Sequence, residues 1–128
     1  MIDENKTILI AEDEDDLRQM YTIALSAAGF EVIEASDGAQ ALSLLEEKYE
    51  VIDLILLDIV MPGMDGFETL ENLKKDERFK NIPVLVSTNL DNDDDKREAL
   101  KMGAKDYFVK SKHTPSELAA KVKMVISE

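Results

Sequence analysis

Five short apolar runs recur along the chain about every 23 to 29 residues. They are rich in Leu and β-branched residues and lie at residues 7–11, 31–35, 54–57, 83–87 and 107–109. Continuous apolar runs of this length are typical of strands buried on both faces of a parallel sheet. The pattern therefore predicts five strands, each covered on both sides.

Helical periodicity fills the intervals between these runs. The clearest apolar stripe spans residues 17–28, and Gly29 then offers a helix end. The sharpest helix start is "TPSE" at 114–117, where Thr114 is the expected N-cap and Glu117 completes a capping box. Strands that alternate with helices form right-handed crossovers. The sequence therefore predicts a doubly wound α/β fold.

Length and composition narrow the class of protein. The 128 residues fit one domain over positions 1–128, and we expect no separate output domain. The chain has no Cys, which excludes disulfides, thiolate catalysis and iron–sulfur clusters. No stretch approaches the roughly 18 apolar residues of a membrane span, and no signal-like segment opens the chain. We expect a cytoplasmic protein.

The charge of the chain is strongly acidic but uneven. A formal net charge of −13 repels nucleic-acid phosphates and anionic lipids, so we expect no nucleic-acid and no membrane partner. Residues 96–128 nevertheless hold eight basic and four acidic side chains, which gives this segment a charge of +4.

Polar residues follow the predicted strands where each strand ends. They are Glu12, Asp13, Asp58, Ser87, Thr88 and Lys110. Because the carboxyl ends of parallel strands meet at one edge of the sheet, we expect carboxylates, a hydroxyl and an ammonium to converge there. Carboxylates so close together repel one another unless a cation intervenes. Magnesium suits such a site, since it binds carboxylates, waters and phosphate oxygens.

Asp58 ends an apolar run immediately before the Pro62–Gly63 turn. A carboxylate in that position, neutralised by a metal ion on one side and Lys110 on the other, can act as a nucleophile. Its attack on a phosphoryl group would form an aspartyl phosphate. Catalysis of such a transfer consists mostly of positioning and charge neutralisation.

Four blocks resemble one known family in order and spacing. They are "ILIAEDEDD", "LILLDIVMPGMDG", "IPVLVST" and "GAKDYFVK". Along nearly its full length the chain resembles a receiver domain of two-component response regulators. The resemblance implies a flavodoxin-like (βα)5 fold, with a parallel sheet in the order 2-1-3-4-5 between five helices. It also implies phosphorylation by a histidine kinase or a histidine phosphotransfer protein, and no enzymatic activity beyond self-catalysed transfer and slow self-dephosphorylation.

The resemblance assigns the transfer and switch residues one by one. Asp58 is the expected phosphoacceptor, and Lys110 is the expected phosphate-binding ammonium. Thr88 is the hydroxyl expected to move toward the phosphoryl group. Tyr107 is the aromatic side chain expected to turn inward together with Thr88.

The resemblance also implies a metal site that binds Mg²⁺ and tolerates Mn²⁺. Asp13 and Asp58 are the expected direct ligands. The Val60 carbonyl is the expected backbone ligand, and Glu12 is expected to act through a metal-bound water.

Three features depart from the family pattern. Ser111 follows Lys110 where relatives usually have Pro, and because a non-proline cis bond costs about 3 to 4 kcal/mol we expect a trans peptide and a re-routed loop. Asn89 follows Thr88 where the residue is commonly small, and Val60 stands two residues after Asp58 where polar residues are frequent. Leu90, two residues after Thr88, is apolar like Val60, so neither side chain can orient an attacking water, and Asn89 adds bulk beside them. We therefore expect slow self-dephosphorylation.

Two other functions fit these residues less well. A haloacid-dehalogenase-type phosphatase needs a second acid two residues after Asp58, and Val60 stands there. An FMN binder would need a phosphate-cradling first loop, whereas Glu12, Asp13 and Glu14 would repel phosphate. A receiver-like scaffold that is never phosphorylated remains the alternative.

The basic segment 96–128 is the expected output surface of such a domain. A downstream target with acidic groups, or a second copy of the phosphorylated chain, is the expected partner. The basic side chains expected to contact it are Lys96, Arg97, Lys101 and Lys105.

Overall fold

Strands and helices alternate along the chain as the apolar pattern predicts. The computed structural model describes residues 5–61 and 63–127. The strands are β1 Thr7–Ala11, β2 Glu31–Ala35, β3 Leu54–Leu57, β4 Val60–Met61, β5 Met64–Asp65, β6 Val84–Thr88 and β7 Asp106–Val109. The helices are α1 Asp15–Ala27, α2 Gly38–Lys48, α3 Gly66–Lys75, α4 Asp93–Lys101 and α5 Pro115–Ser127, with a 3₁₀ turn at Lys110–Lys112.

Five strands form one parallel sheet in the order β2-β1-β3-β6-β7. The two short strands β4 and β5 pair antiparallel with each other instead. When the strands of the main sheet are counted alone, the order is 2-1-3-4-5, so the expected doubly wound flavodoxin-like fold is confirmed. The reversal of strand order lies between β1 and β3, where such folds place their ligands.

The first three strand predictions match the structure at both ends, and the last two differ by one residue. β6 runs to Thr88 because Thr88 pairs with Val109, and β7 begins at Asp106 because Asp106 pairs with Leu85. Register with a neighbouring strand, and not hydrophobicity, thus sets these ends. The β4–β5 hairpin was not predicted, because strands of two residues are too short to show a periodic pattern of apolar residues. Pro62, part of the predicted turn, lies outside the described residues.

Both faces of the sheet are buried, as continuous apolar runs predict. In β1, Ile8 and Ile10 pack on the side of α1 and α5, whereas Leu9 and Ala11 pack on the side of α2 and α3. All four side chains are at most 1% exposed. A scaffold this tightly packed holds its strand ends at fixed positions.

Helix ends follow the local signals in the sequence. The Glu117 amide donates to Thr114 Oγ1 at 3.2 Å, and the Thr114 amide donates to Glu117 Oε1 at 2.8 Å, so the predicted capping box is confirmed. Gly29 follows α1 with a φ of 99°, the left-handed conformation that favours glycine. The Thr114 cap fixes where the loop after β7 ends at the carboxyl edge, whereas Gly29 ends α1 at the opposite, amino edge of the sheet.

Candidate functional site

Three carboxylates meet at the carboxyl edge of the sheet. Glu12 and Asp13 follow β1, and Asp58 follows β3. Each offers one oxygen, and these oxygens all lie within 4.8 Å of one another. Glu12 and Asp58 are 2% and 4% exposed, whereas Asp13 is partly exposed. The acidic group is therefore buried on its inner side and open to solvent at Asp13.

Lys110 bridges two of these carboxylates. Its Nζ donates to Glu12 Oε1 at 2.6 Å and to Asp58 Oδ2 at 2.9 Å. The side chain stands at the start of the 3₁₀ turn after β7 and is buried. The Lys110–Ser111 peptide is trans, as expected, because no cis bond occurs in the described ranges. The lysine thus reaches both acids with Ser111 as the next residue.

Burial and ion pairing act against each other in this cluster. Burial raises the pKa of the Glu12 carboxyl, and the hydrogen bond from Lys110 opposes that rise. Burial by itself lowers the pKa of Lys110, but its hydrogen bonds to Glu12 and Asp58 outweigh burial and raise it. Lys110 therefore stays charged at neutral pH.

Backbone amides hold the remaining carboxylate oxygens. The Val60 amide donates to Asp58 Oδ1 at 2.9 Å, and the Glu14 amide donates to Glu12 Oε2 at 3.1 Å. These amide contacts were not predicted, because sequence spacing shows side chains and not backbone directions. Together with Lys110 they orient the Asp58 carboxylate while leaving lone pairs free for chemistry.

The chemistry of the donor set fits a hard divalent cation. Three carboxylates and one ammonium carry a net charge of −2 when all are ionised, which a divalent ion would balance. Oxygen donors are the ligands that Mg²⁺ prefers, and the solvent-facing side at Asp13 leaves room for its waters. The residues that would hold the ion are Asp13 and Asp58, with Glu12 close by.

Thr88 and Tyr107 are linked through the backbone of Leu90. Thr88 is fully buried, and its Oγ1 accepts a hydrogen bond from the Leu90 amide at 3.3 Å. The Tyr107 hydroxyl donates to the Leu90 carbonyl at 2.7 Å. Burial, with added repulsion from nearby acids, raises the pKa of Tyr107 to about 12, so the hydroxyl keeps its proton. Tyr107 is 8% exposed, and its side chain therefore lies inward in this structure.

The other predicted residues lie around the rim of the site. Val60 is 54% exposed, Asn89 is exposed and Leu90 is partly buried. Ser87 is buried, and strand alternation points it to the sheet face opposite Thr88. Its hydroxyl has no hydrogen-bond partner among the residues that the structure describes. Thr88 is therefore the strand-end hydroxyl on the Tyr107–Leu90 side.

Ion pairs within the chain partly neutralise the predicted basic surface. Lys112 pairs with Asp91 at 2.8 Å, Lys121 pairs with Asp106 at 2.6 Å, and Arg97 pairs with Asp94. This surface therefore carries charges of both signs, whereas the sequence count suggested a basic one.

Comparison with known proteins places the chain in a family. The family model of the response regulator receiver domain matches residues 8–123 of this chain. The chain belongs to the response regulator receiver domain family. This confirms the resemblance seen in the four sequence blocks.

Relatives of this receiver domain include transcriptional regulators. It is 40% identical over 121 residues to the phosphate regulon transcriptional regulatory protein PhoB of Pseudomonas aeruginosa, covering 94% of this chain and 52% of that protein. It is 38% identical over 115 residues to the uncharacterized transcriptional regulatory protein YrkP of Bacillus subtilis, covering 90% of this chain and 47% of that protein. The receiver domain thus spans about half the length of the curated relatives it matches.

Solved structures agree with the fold of the receiver domain. The chemotaxis response regulator CheY4 of Vibrio cholerae superimposes with a TM-score of 0.86 at 30% identity, covering 95% of this chain and 99% of that one. The receiver domain of the Francisella response regulator 1452 gives 0.86 at 31% identity, with 96% and 98% covered. Among the described residues, every helix is too short or too polar to span a bilayer.

We predict that Lys110→Met destabilises the metal-free protein by about 3 to 5 kcal/mol at pH 7, because it leaves the buried carboxylates without their cation. Loss of the lysine removes the interaction that opposes the raised pKa of Glu12. An acid whose folded-state pKa is raised contributes stability at low pH that is lost as pH rises. The deficit should therefore be smaller at pH 5 than at pH 7 in urea unfolding.

Lys112→Met is the matched control for this variant. Lys112 is an exposed lysine two positions away, paired with Asp91 at the surface. Its substitution should change the free energy of unfolding by no more than about 0.5 kcal/mol. Equal destabilisation by both variants would show that the Lys110 bridge contributes nothing specific.

Proposed function

We propose that this receiver domain accepts a phosphoryl group on Asp58 in a Mg²⁺-dependent reaction, with a histidine kinase or a histidine phosphotransfer protein as donor. The observation that carries the proposal is the buried Asp58 carboxylate, held by Lys110 and the Val60 amide beside two further acids. Fixed hydrogen-bond donors already orient a carboxylate in such a setting, so the reaction requires no reorganisation of these groups.

In the transfer step, an Asp58 carboxylate oxygen attacks phosphorus and forms the new O–P bond. The N–P bond to the donor histidine breaks, and the imidazole nitrogen takes up a proton. Lys110 lies where its ammonium can contact a phosphoryl oxygen as charge moves toward Asp58. Asp13, Asp58 and the Val60 carbonyl would hold Mg²⁺, with Glu12 acting through water, and the ion would supply the remaining charge neutralisation. Mn²⁺ would substitute for it.

Thr88 and Tyr107 would transmit phosphorylation to the surface. Leu90 donates its amide to Thr88 and accepts from Tyr107 through its carbonyl. A Thr88 hydroxyl that turns toward a phosphoryl oxygen must release the Leu90 amide. Movement of Thr88 is thereby coupled to the hydrogen bond that holds Tyr107 inward.

We predict that Asp58→Asn abolishes phosphorylation by acetyl phosphate, since the amide is not a nucleophile. Intact mass should show one added phosphoryl group on the wild type and none on the variant. Asp13→Asn should raise the Mg²⁺ concentration for half-maximal labelling by about tenfold. Asp53→Asn, at the amino end of the same strand, should label like the wild type.

A hydroxylamine-labile phosphate on Asp58→Asn would show that another residue is the acceptor. If the wild type gains no phosphoryl group from acetyl phosphate with Mg²⁺, that result would count against the proposal and favour the unphosphorylated scaffold.

The lifetime of the phosphoryl group would depend on the apolar rim. Val60 and Leu90 offer no side-chain hydrogen bond to an attacking water, and Asn89 adds bulk beside them. Since Leu90 contacts Thr88 and Tyr107 through its backbone, its side chain can be exchanged without removing those contacts.

We predict that a Val60→Asn, Leu90→Glu double variant loses its phosphoryl group roughly 10- to 100-fold faster than the wild type, because polar side chains can orient the water. The measurement is phosphate loss from the Mg²⁺-loaded protein after the phosphodonor is removed. Val51→Asn, at another exposed valine, is the control. Equal decay of wild type and double variant would mean that these positions do not limit water access.

The partner surface would comprise the charged residues of α4, β7, α5 and the loop between α4 and β7. Charges of both signs on one patch are self-complementary in a two-fold dimer, in which each patch meets its own copy. This supports a second phosphorylated copy as partner, with an acidic downstream target as the other candidate. The basic residues proposed to take part are Lys96, Arg97, Lys101 and Lys105.

We predict that association of the phosphorylated protein weakens with salt and with Lys101→Glu, because rim charges act through screened Coulomb attraction. Sedimentation at low and high NaCl measures it. Lys48→Glu places the same change on α2, away from this surface, and should leave association unaltered. Salt-independent association would contradict an electrostatic surface.

A further inference from the structure

Arg18 lies in the first turn of α1 and contacts the loop of residues 12–14, which connects β1 to that helix. Its Nη1 donates to the Glu12 carbonyl at 2.8 Å, its Nε to Glu34 Oε1 at 3.2 Å and its Nη2 to Asp15 Oδ1 at 2.7 Å. A cation at this end of a helix faces the positive end of the helix dipole. A favourable contact of Arg18 must therefore offset this unfavourable interaction with the helix dipole.

The ion pairs of Arg18 with its two acidic partners are too weak to offset that interaction. Glu34 and Asp15 are 44% and 83% exposed, and exposed ion pairs contribute roughly 0 to 1 kcal/mol. The Arg18 side chain itself is 16% exposed, and its bond to the Glu12 carbonyl is the contact directed into the protein. That carbonyl is the acceptor that ties Arg18 to the site.

The Glu12 carbonyl belongs to the same planar peptide as the Asp13 amide. A donor that fixes this oxygen fixes the orientation of the peptide from which Asp13 starts. The neighbouring backbone is held as well, because the Glu12 amide donates to the Ala35 carbonyl at 3.1 Å and the Glu14 amide donates to Glu12 Oε2. Arg18 thus completes the set of bonds that holds the loop carrying Asp13.

We infer that Arg18 is a positioning residue for divalent-cation binding: by holding the Glu12–Asp13 peptide it places the Asp13 carboxylate beside Asp58. The inference rests on the proposed Mg²⁺ site. It assigns Arg18 a role through geometry and not through charge. The two roles make opposite predictions, because removing a cation near an acidic site would strengthen Mg²⁺ binding by charge alone.

The experiment measures Mg²⁺ affinity by isothermal titration calorimetry on the unphosphorylated protein. Arg18→Met should weaken binding about tenfold, as expected when the support of a ligand is lost. Arg18→Lys keeps the charge but not the three-way fork, and it should also weaken binding. Glu34→Gln removes an ion pair while leaving the bond to the Glu12 carbonyl, and it should bind like the wild type.

A second readout follows the backbone directly. The amide resonance of Asp13 in metal-free protein should shift in Arg18→Met and not in Glu34→Gln. Circular dichroism checks that the variants are folded, and Arg18→Lys carries the test if Arg18→Met is not.

Unchanged or tighter Mg²⁺ binding by the folded Arg18 variants would overturn the inference while leaving the proposed function intact. Failure of the wild type itself to bind Mg²⁺ would overturn both.

Discussion

The charge bridge between Lys110, Glu12 and Asp58 is the constraint on which the site depends. Two carboxylates are buried at the edge of an apolar sheet, and burial of an unpaired charge costs several kcal/mol. Lys110 compensates them with hydrogen bonds of 2.6 and 2.9 Å. The sheet can therefore carry its acidic groups at one edge without losing its packed core.

That bridge explains how one carboxylate is both held and reactive. Asp58 receives the Val60 amide on one oxygen and Lys110 on the other, so its direction is fixed while lone pairs remain. Glu12 shares the lysine and is itself buried. Asp13 faces solvent, where a cation can enter. Three acids of similar chemistry thus occupy three different environments.

The sequence predicted the side chains of this site because they stand at strand ends. Asp13, Asp58 and Lys110 each follow an apolar run, and parallel strands bring such positions together whatever their separation along the chain. The capping box at Thr114 was equally predictable, since it depends only on residues three positions apart. Arg18 and the Leu90 backbone were not predicted, because their contacts depend on peptide orientation. The strands of the β4–β5 hairpin were too short to show a periodic apolar pattern in the sequence.

The length of chain between the bridged residues has a consequence for biosynthesis. The Lys110–Glu12 hydrogen bond joins residues 98 positions apart, and the Lys110–Asp58 bond spans 52. A ribosome releases the two acids long before the lysine, and closing so long a loop is among the slower steps of folding. The nascent chain therefore presents these acids to solvent, and the reactive edge is complete when its last strand has joined the sheet.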